Sequence, residues 1–495
     1  MKVWKYLAAV AALAVVLTAC GGTSNKSNGS TGQSGKANGG GGTFTMAVAG
    51  DPGSLNPLNN TSTASNWLFR FLYDPLVNRS KDGSPSPGLA SKWDFDGSTA
   101  VFTIRDDVTC SDGSKVTPSV IAKNFAYLHD PSKPSMSIGA VIPDRNFSFS
   151  ADDAANTFTL KLDKPFSLLI YELSFLPIVC GPAADNPESL TTTSSGSGPY
   201  VLTNASVNSS YTMTKRAGYT WGLDGGTTAD VPDKVVWQVV SDESTAANML
   251  TTGQLNAAVI NGPDRTRVQS ANATTDLTVS GDVVMLFNQS KGRPAADAAV
   301  RRALIQAIDR DQVASTVTQG LLPKAGTSIT AATPQVCDDT AAASSIPALN
   351  PDGAKAALAA AGASSMSITL GYSTATPGAA AAAELIATEW KAIGVSVKIS
   401  PMTQADYQTR VFTSGDYDVM ISQFSNPFPS TVVGLLDGPP PPTGTNAANI
   451  NNTAYNAAVA TALATPGADG CVAWVNASKA LFDDATMVPL ADWPT

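Results

Sequence analysis

Residues 367–399 read SITLGYSTATPGAAAAAELIATEWKAIGVSVKI. Ser367–Tyr372 is a short run of strand type, and Val395–Ile399 is a second one. Between them Thr376-Pro377 offers an N-cap and a first-turn proline, followed by an Ala-rich helix through Leu385, Ile386 and Trp390. Gly394 stands where such a helix needs a left-handed closing residue. A right-handed crossover of this length makes the two strands parallel, so the fold class is α/β.

The same pattern recurs upstream as strand Val235–Val240, helix Ser244–Thr251, Gly253 and strand Leu255–Ile260. Val284–Phe287 is a continuous apolar run, as in a strand covered on both faces. Thr117-Pro118 opens a helix carrying Ile121, Phe125 and Leu128 on one side. Val300, Ala303, Leu304, Ala307 and Ile308 form an apolar stripe, with Arg301, Arg302, Gln306 and Asp309 off it. Residues 81–190 differ: Asp82-Gly83, Asp96-Gly97 and Asp112-Gly113 mark turns, and Thr157–Leu162 alternates. This stretch reads as an inserted, β-rich domain. Asp437-Gly438 followed by Pro439–Pro442 cannot continue a helix or a central strand and is expected as an exposed loop.

The chain has 495 residues, 43% of them apolar, which suffices for about three cored domains. Its net charge of -9 (31 Lys+Arg against 40 Asp+Glu) argues against a nucleic-acid partner. His129 is the single histidine, which works against metal sites and against chemistry that needs a His base. No nucleophile elbow G-x-S-x-G is present, and pairs such as Asp106-Asp107, Asp338-Asp339 and Asp483-Asp484 read as turn or cap residues. No enzymatic role, cofactor or metal is expected.

Lys2 and Lys5 precede an uncharged run, Tyr6 to Leu17, of signal-peptide length and too short to span a membrane. It ends Leu17-Thr18-Ala19-Cys20-Gly21-Gly22, which resembles a bacterial lipobox. The resemblance implies a signal peptide over 1–19, cleavage before Cys20 and lipidation of that residue; an ordinary signal peptide is the alternative. Residues 20–42 then form a lipidated Cys and a Gly/Ser/Asn-rich tether whose reach is roughly 25 Å.

Several segments, in order, resemble the solute-binding proteins of ABC importers, family 5, the oligopeptide, dipeptide and nickel-binding group. They are Leu55-Asn56-Pro57, Leu72-Tyr73-Asp74-Pro75-Leu76-Val77, Pro87 to Trp93, Phe102 to Val108 and Ser111-Asp112-Gly113. Ser197-Gly198-Pro199-Tyr200, Ala303 to Arg310, Gly394-Val395 and Gly415-Asp416-Tyr417-Asp418 follow.

The resemblance implies a two-lobed, periplasmic-binding-protein-like clamshell (type II, class C) with an extra inserted β-rich domain. Lobe I would take 43–84, 191–260 and 482–495, the inserted domain 85–190, and lobe II 261–481. A monomer on the outer face of the bacterial cytoplasmic membrane, lipid-anchored, would capture a small ligand, an oligopeptide first of all. It would deliver that ligand to the transmembrane subunits of an ABC permease. A sensing or scavenging lipoprotein without a transport role, or an oligosaccharide binder, is the alternative.

Peptide-binding members carry a Trp, two further positions and then an amine-binding Asp after the Tyr-Asp pair. Here Phe424 stands in the Trp position, Ser425 follows, and Asn426-Pro427 occupies the neighbourhood of the absent Asp. Asp437 is a candidate substitute. Asn56, Asn288, Gln423, Phe424, Ser425 and Asn426 are the expected ligand-binding residues; core packing is the other reading of Phe424, and turn or strand-end capping that of Asn56 and Asn288. The body holds Cys110, Cys180, Cys337 and Cys471, an even number in an exported chain, without the CxxC spacing of a zinc site. Of three connectivities, 110–180 and 337–471 keep each bond within one implied domain and leave the hinge free.

Overall fold

The computed structural model describes residues 41–494, apart from 60–62, 223–224, 272–276, 426–427 and 442. The expected signal peptide, lipidated Cys20, all but the end of the linker and Asn426 lie outside the described residues.

Strands Ser367–Ser373 and Ser396–Met402 run parallel, Ser367 opposite Ser396, with helix Ala379–Ala392 between them in the chain. The helix starts later than Thr376-Pro377 suggests. Gly378, at φ 72, turns the chain into it, and a Cβ there would collide with the Val317 carbonyl. At the other end Gly394 has φ 98, its N–H donates to Lys391 and that of Val395 to Trp390, the bonds of a Schellman closure.

These two strands belong to a five-stranded sheet ordered Ser396–Met402, Ser367–Ser373, Val419–Phe424, Val279–Phe287, Met487–Pro494. Val283 to Phe287 are buried without exception, as their unbroken apolar run implies. Helix Ala298–Gln306 turns Val300 and Leu304 into this core, and the indole N–H of buried Trp390 donates to Leu304 O at 2.9 Å. Arg301, off the stripe, is nevertheless 2% exposed. The end of helix Cys471–Asp483 covers that side, and the guanidinium donates to carbonyls of Ala295, Ala296, Asp484 and Ala485.

The closing segment corrects the expected division. Residues 482–495 are expected in lobe I, yet Met487–Pro494 pairs antiparallel with Val279–Phe287, placing Met285 opposite Val488 and Asp282 opposite Asp492. Met487, Val488, Leu490 and Ala491 are all buried there, and Arg310 Nε holds Pro489 O at 3.1 Å. The apolar content of this strand is satisfied on the second sheet.

A four-stranded sheet is ordered Thr43–Val48, Lys234–Val239, Ser210–Lys215, Tyr200–Ser206, the first pair parallel and the rest antiparallel. Helix Glu243–Thr251 follows as expected, capped by Asp242. Leu255–Ile260 does not form the expected strand; a single bridge joins Ala257 to Met46. Asn256 Oδ1 accepts from Thr45 N at 2.8 Å, so a side chain takes the place of a ladder bond.

The stretch read as β-rich holds an antiparallel sheet of Ala90–Phe95, Thr99–Ile104, Thr157–Leu162 and Phe147–Asp152. Helix Pro118–His129, capped by Thr117, packs on it, with Phe125 and Phe158 ring centroids 4.8 Å apart. Its three Asp-Gly turns share one chemistry: Asp82, Asp96 and Asp112 accept from the backbone N–H of Ser84, Ser98 and Ser114, and the intervening glycines have positive φ. His129 ends that helix in solvent, edge-on to Phe147.

The buried apolar residues fall into two main clusters. One runs from Met46 to Trp237 and includes the β-rich stretch; the other runs from Val283 to Trp493 and admits Leu168 from the first region. Cys110 is bonded to Cys180 in the first and Cys337 to Cys471 in the second, with Cα separations of 5.9 and 5.1 Å.

Candidate functional site

Two motifs of the sequence meet in the first core. Buried Asp74 accepts from Ser197 Oγ at 2.8 Å, Tyr219 Oη at 2.9 Å and Trp221 Nε1 at 3.0 Å. Gly198 N donates to Leu72 O, and a Cβ on Gly198 would clash with the Leu72–Tyr73 backbone. Burial raises the Asp74 carboxyl above its usual value, while these donors and Arg216 pull it back. These turns therefore fasten the chain where it leaves for the β-rich stretch and where it returns.

The two cores touch along a seam. Phe175 packs against both, and its ring lies 5.5 Å from that of buried Phe428 at 90°. Gly467 N donates to Ser167 O at 2.9 Å across the same seam, and Ser430 Oγ donates to Glu172. Glu172 is 1% exposed, and burial holds its carboxyl well above the usual range. Two arginines reach the Phe175 ring: the Arg70 guanidinium carbon is 5.8 Å from its centroid and that of Arg79 5.9 Å, with Arg79 also 5.4 Å from Phe428. Neither forms a salt bridge among the described residues. Arg79 donates to Pro334 O from the other core. Burial, and then the charge of Arg70, lowers the Arg79 pKa to about 10.

The expected ligand residues are not brought together. Asn56 is buried, with Oδ1 accepting from Leu58 N and Nδ2 donating to Tyr127 Oη. Asn288 is buried too, donating to Gly415 O and Tyr417 O and accepting from Ser290 N. Both side chains are spent on turn and strand-end capping, the other reading of these residues. Asn288 follows the Phe287–Val419 pair and Phe424 faces Asp282, so they stand at opposite ends of one strand pair, about 20 Å apart at 3.4 Å per residue.

Gln423 and Phe424 end strand Val419–Phe424 half-buried, on opposite faces of the sheet, and Ser425 is exposed. Phe424 packs partly against the second core. Asp437 accepts from Asn456 Nδ2 at 2.8 Å. Phe428 and Ser430, a few residues beyond the expected set, are the ones at the seam.

Phe424 lies in a row with two acids that no motif of the sequence singles out. Phe424, Asp282 and Asp492 are cross-strand neighbours on one face. Asp282 is fully buried and accepts from Ala331 N at 3.0 Å; burial lifts its carboxyl well above the usual range and also lifts that of Asp492. An Asp heading the apolar run Val283–Phe287 is the signal that could have drawn attention to it. Asp339, read as a loop acid, is likewise buried and accepts from Ser478 Oγ at 2.6 Å. Among the described residues, no group of three or more His, Cys, Asp or Glu is placed to hold a metal ion.

A family model described as bacterial extracellular solute-binding proteins, family 5 Middle, matches residues 84–437, and the chain belongs to that family, one of binding proteins and not of enzymes. Periplasmic murein peptide-binding protein MppA of Escherichia coli is 27% identical over 490 residues, covering 90% of this chain and 86% of that one. Dipeptide-binding protein DppE of Bacillus subtilis is 26% identical over 293 residues, covering 54% of this chain but only about half, 52%, of that one. The crystal structure of a substrate binding protein from Microbacterium hydrocarbonoxydans, complexed with 4-hydroxybenzoate hydrazide, superposes with a TM-score of 0.69 at 26% identity, covering 90% of this chain and 93% of that one. The fold is the mixed α/β fold of periplasmic binding proteins.

Proposed function

We propose that this chain is the extracytoplasmic receptor of an ABC importer, taking an oligopeptide between two lobes and presenting it to the membrane permease. The observation that carries the reading is the separation of the apolar interior into two cores joined by a polar and aromatic seam. Lobe I, on this reading, is 43–84 with 191–260 and the β-rich stretch 85–190 packed on it; lobe II is 261 onward and keeps the closing strand. A solute touching both lobes favours the closed form by its differential affinity, and the permease reads closure. The relatives named for binding murein peptide and dipeptide support a peptide cargo.

Lipidation at Cys20 would hold the body at the membrane, since an acidic protein is not drawn to anionic lipid. Uptake of radiolabelled trialanine by the host tests the transport role. Uptake should vanish when this gene or the adjacent permease is deleted, and persistence in both deletions contradicts it. Cys20→Ser should abolish incorporation of labelled fatty acid; continued labelling refutes the anchor.

A second reading has one observation in its favour. The Microbacterium neighbour is complexed with an aromatic hydrazide, so a small aromatic solute is the alternative cargo.

A further inference from the structure

Helix Thr63–Leu72 has two faces. Leu68, Phe69 and Leu72 are buried in the first core. Trp67 and Arg70, three residues apart and therefore neighbours on the surface, are exposed, Trp67 by 40%. Trp and Arg are the side chains most often found as anchors of recognition.

Three further observations set this pair apart from an ordinary surface. Arg70 reaches Phe175, the ring that packs against both cores, so it stands at the seam and not on an outer wall. Arg70 as a residue is exposed, while the protein mass around its guanidinium lowers its pKa. Finally, Arg79 brings a second positive charge to the same ring while no acid pairs with either arginine among the described residues.

We infer that Arg70, with Arg79 behind it and Trp67 beside it, binds a carboxylate of the captured solute at the seam between the two cores. Arg70 supplies the hydrogen-bonding fork, because Arg79 is tied to Pro334 O of the opposite core. Bringing an anion to Arg70 relieves the repulsion between the guanidiniums, and since Arg79 already grips the second core, the same event favours closure. The inference rests on the proposed peptide cargo, whose carboxylate is its C-terminus.

The test is titration calorimetry with trialanine and with trialanine amide, on the wild type and on Arg70→Gln, each variant first checked for an unchanged circular dichroism spectrum. The wild type should bind the free acid about tenfold or more tightly than the amide. R70Q should erase that difference by weakening the free acid far more than the amide, and Arg70→Lys should restore part of it. Equal binding of acid and amide by the wild type, or equal weakening of both in R70Q, overturns the inference. If the wild type binds neither peptide, the peptide reading has failed, and the arginines are judged on benzoate against benzamide. Thermal stabilisation by benzoate alone, lost in R70Q, keeps the anion site; no difference between the two compounds removes it.

Discussion

Both cores must fasten a chain segment that arrives from far away in sequence, and the fastening with the most hydrogen bonds described above is an acid in one and an arginine in the other. In the first, the buried carboxylate of Asp74 gathers Ser197, Tyr219 and Trp221. In the second, guanidiniums grip carbonyls: buried Arg301 those of Asp484 and Ala485, half-buried Arg310 that of Pro489. An acid collects donors and suits hydroxyl and indole groups from a returning loop; an arginine collects acceptors and suits the bare carbonyls at a helix end. The interior of each core is apolar, and these charged side chains tie distant segments to it alongside the sheets and the disulfides.

The sharpest way to break this contrast is to remove one fastening at a time. Asp74→Ala strands three buried donors and Arg301→Ala strands carbonyls, each expected to cost about 3–5 kcal/mol. Limited proteolysis should show the damage on opposite sides of the seam: D74A opening residues near 70–80 and 196–221, R301A opening the closing strand and the preceding helix. If both variants open the same fragments, the two cores are not separate bodies.

Glu172 bridges the two cores and should give a smaller effect with a distinct pH signature. Its carboxyl is raised in the folded protein by burial. Between the unfolded value, near 4.5, and the higher folded value the native state binds the extra proton, so stability falls as pH rises through that window. Glu172→Gln cannot ionise and should flatten this slope, with a melting temperature above the wild type at pH 7 and close to it at pH 4. A parallel pH profile for the two proteins would remove Glu172 from the seam's energetics.

The smallest effect is local. Thr117 accepts from Val120 N at the start of the helix that covers the β-rich sheet, and Thr117→Ala should cost about 1 kcal/mol by denaturant titration. A loss as large as that of D74A would show that the first core depends on this helix more than on its buried acid.

Local chemistry was legible in the sequence, and tertiary coverage was not. The crossover at 367–399, the cap at Thr117 and the left-handed Gly394 each follow from a few adjacent residues. Arg301 looked solvent-facing because a helical period says which residues line one stripe, not what covers the others. The segment after Gly253 reads as a strand, but its pairing stops at Asn256 and Ala257, where the Asn256 side chain takes the Thr45 N–H. The same limit applied to the site. Phe424 and Ser425 were identified by position in a motif, whereas Arg70, Phe175 and Phe428 converge from three distant stretches and carry no local signal.

Small-angle scattering on the described body with saturating trialanine tests the central claim most directly. Two bodies closing over a solute predict a smaller radius of gyration at saturation, and a smaller contraction in R70Q. Calorimetric saturation with an unchanged radius would contradict the account.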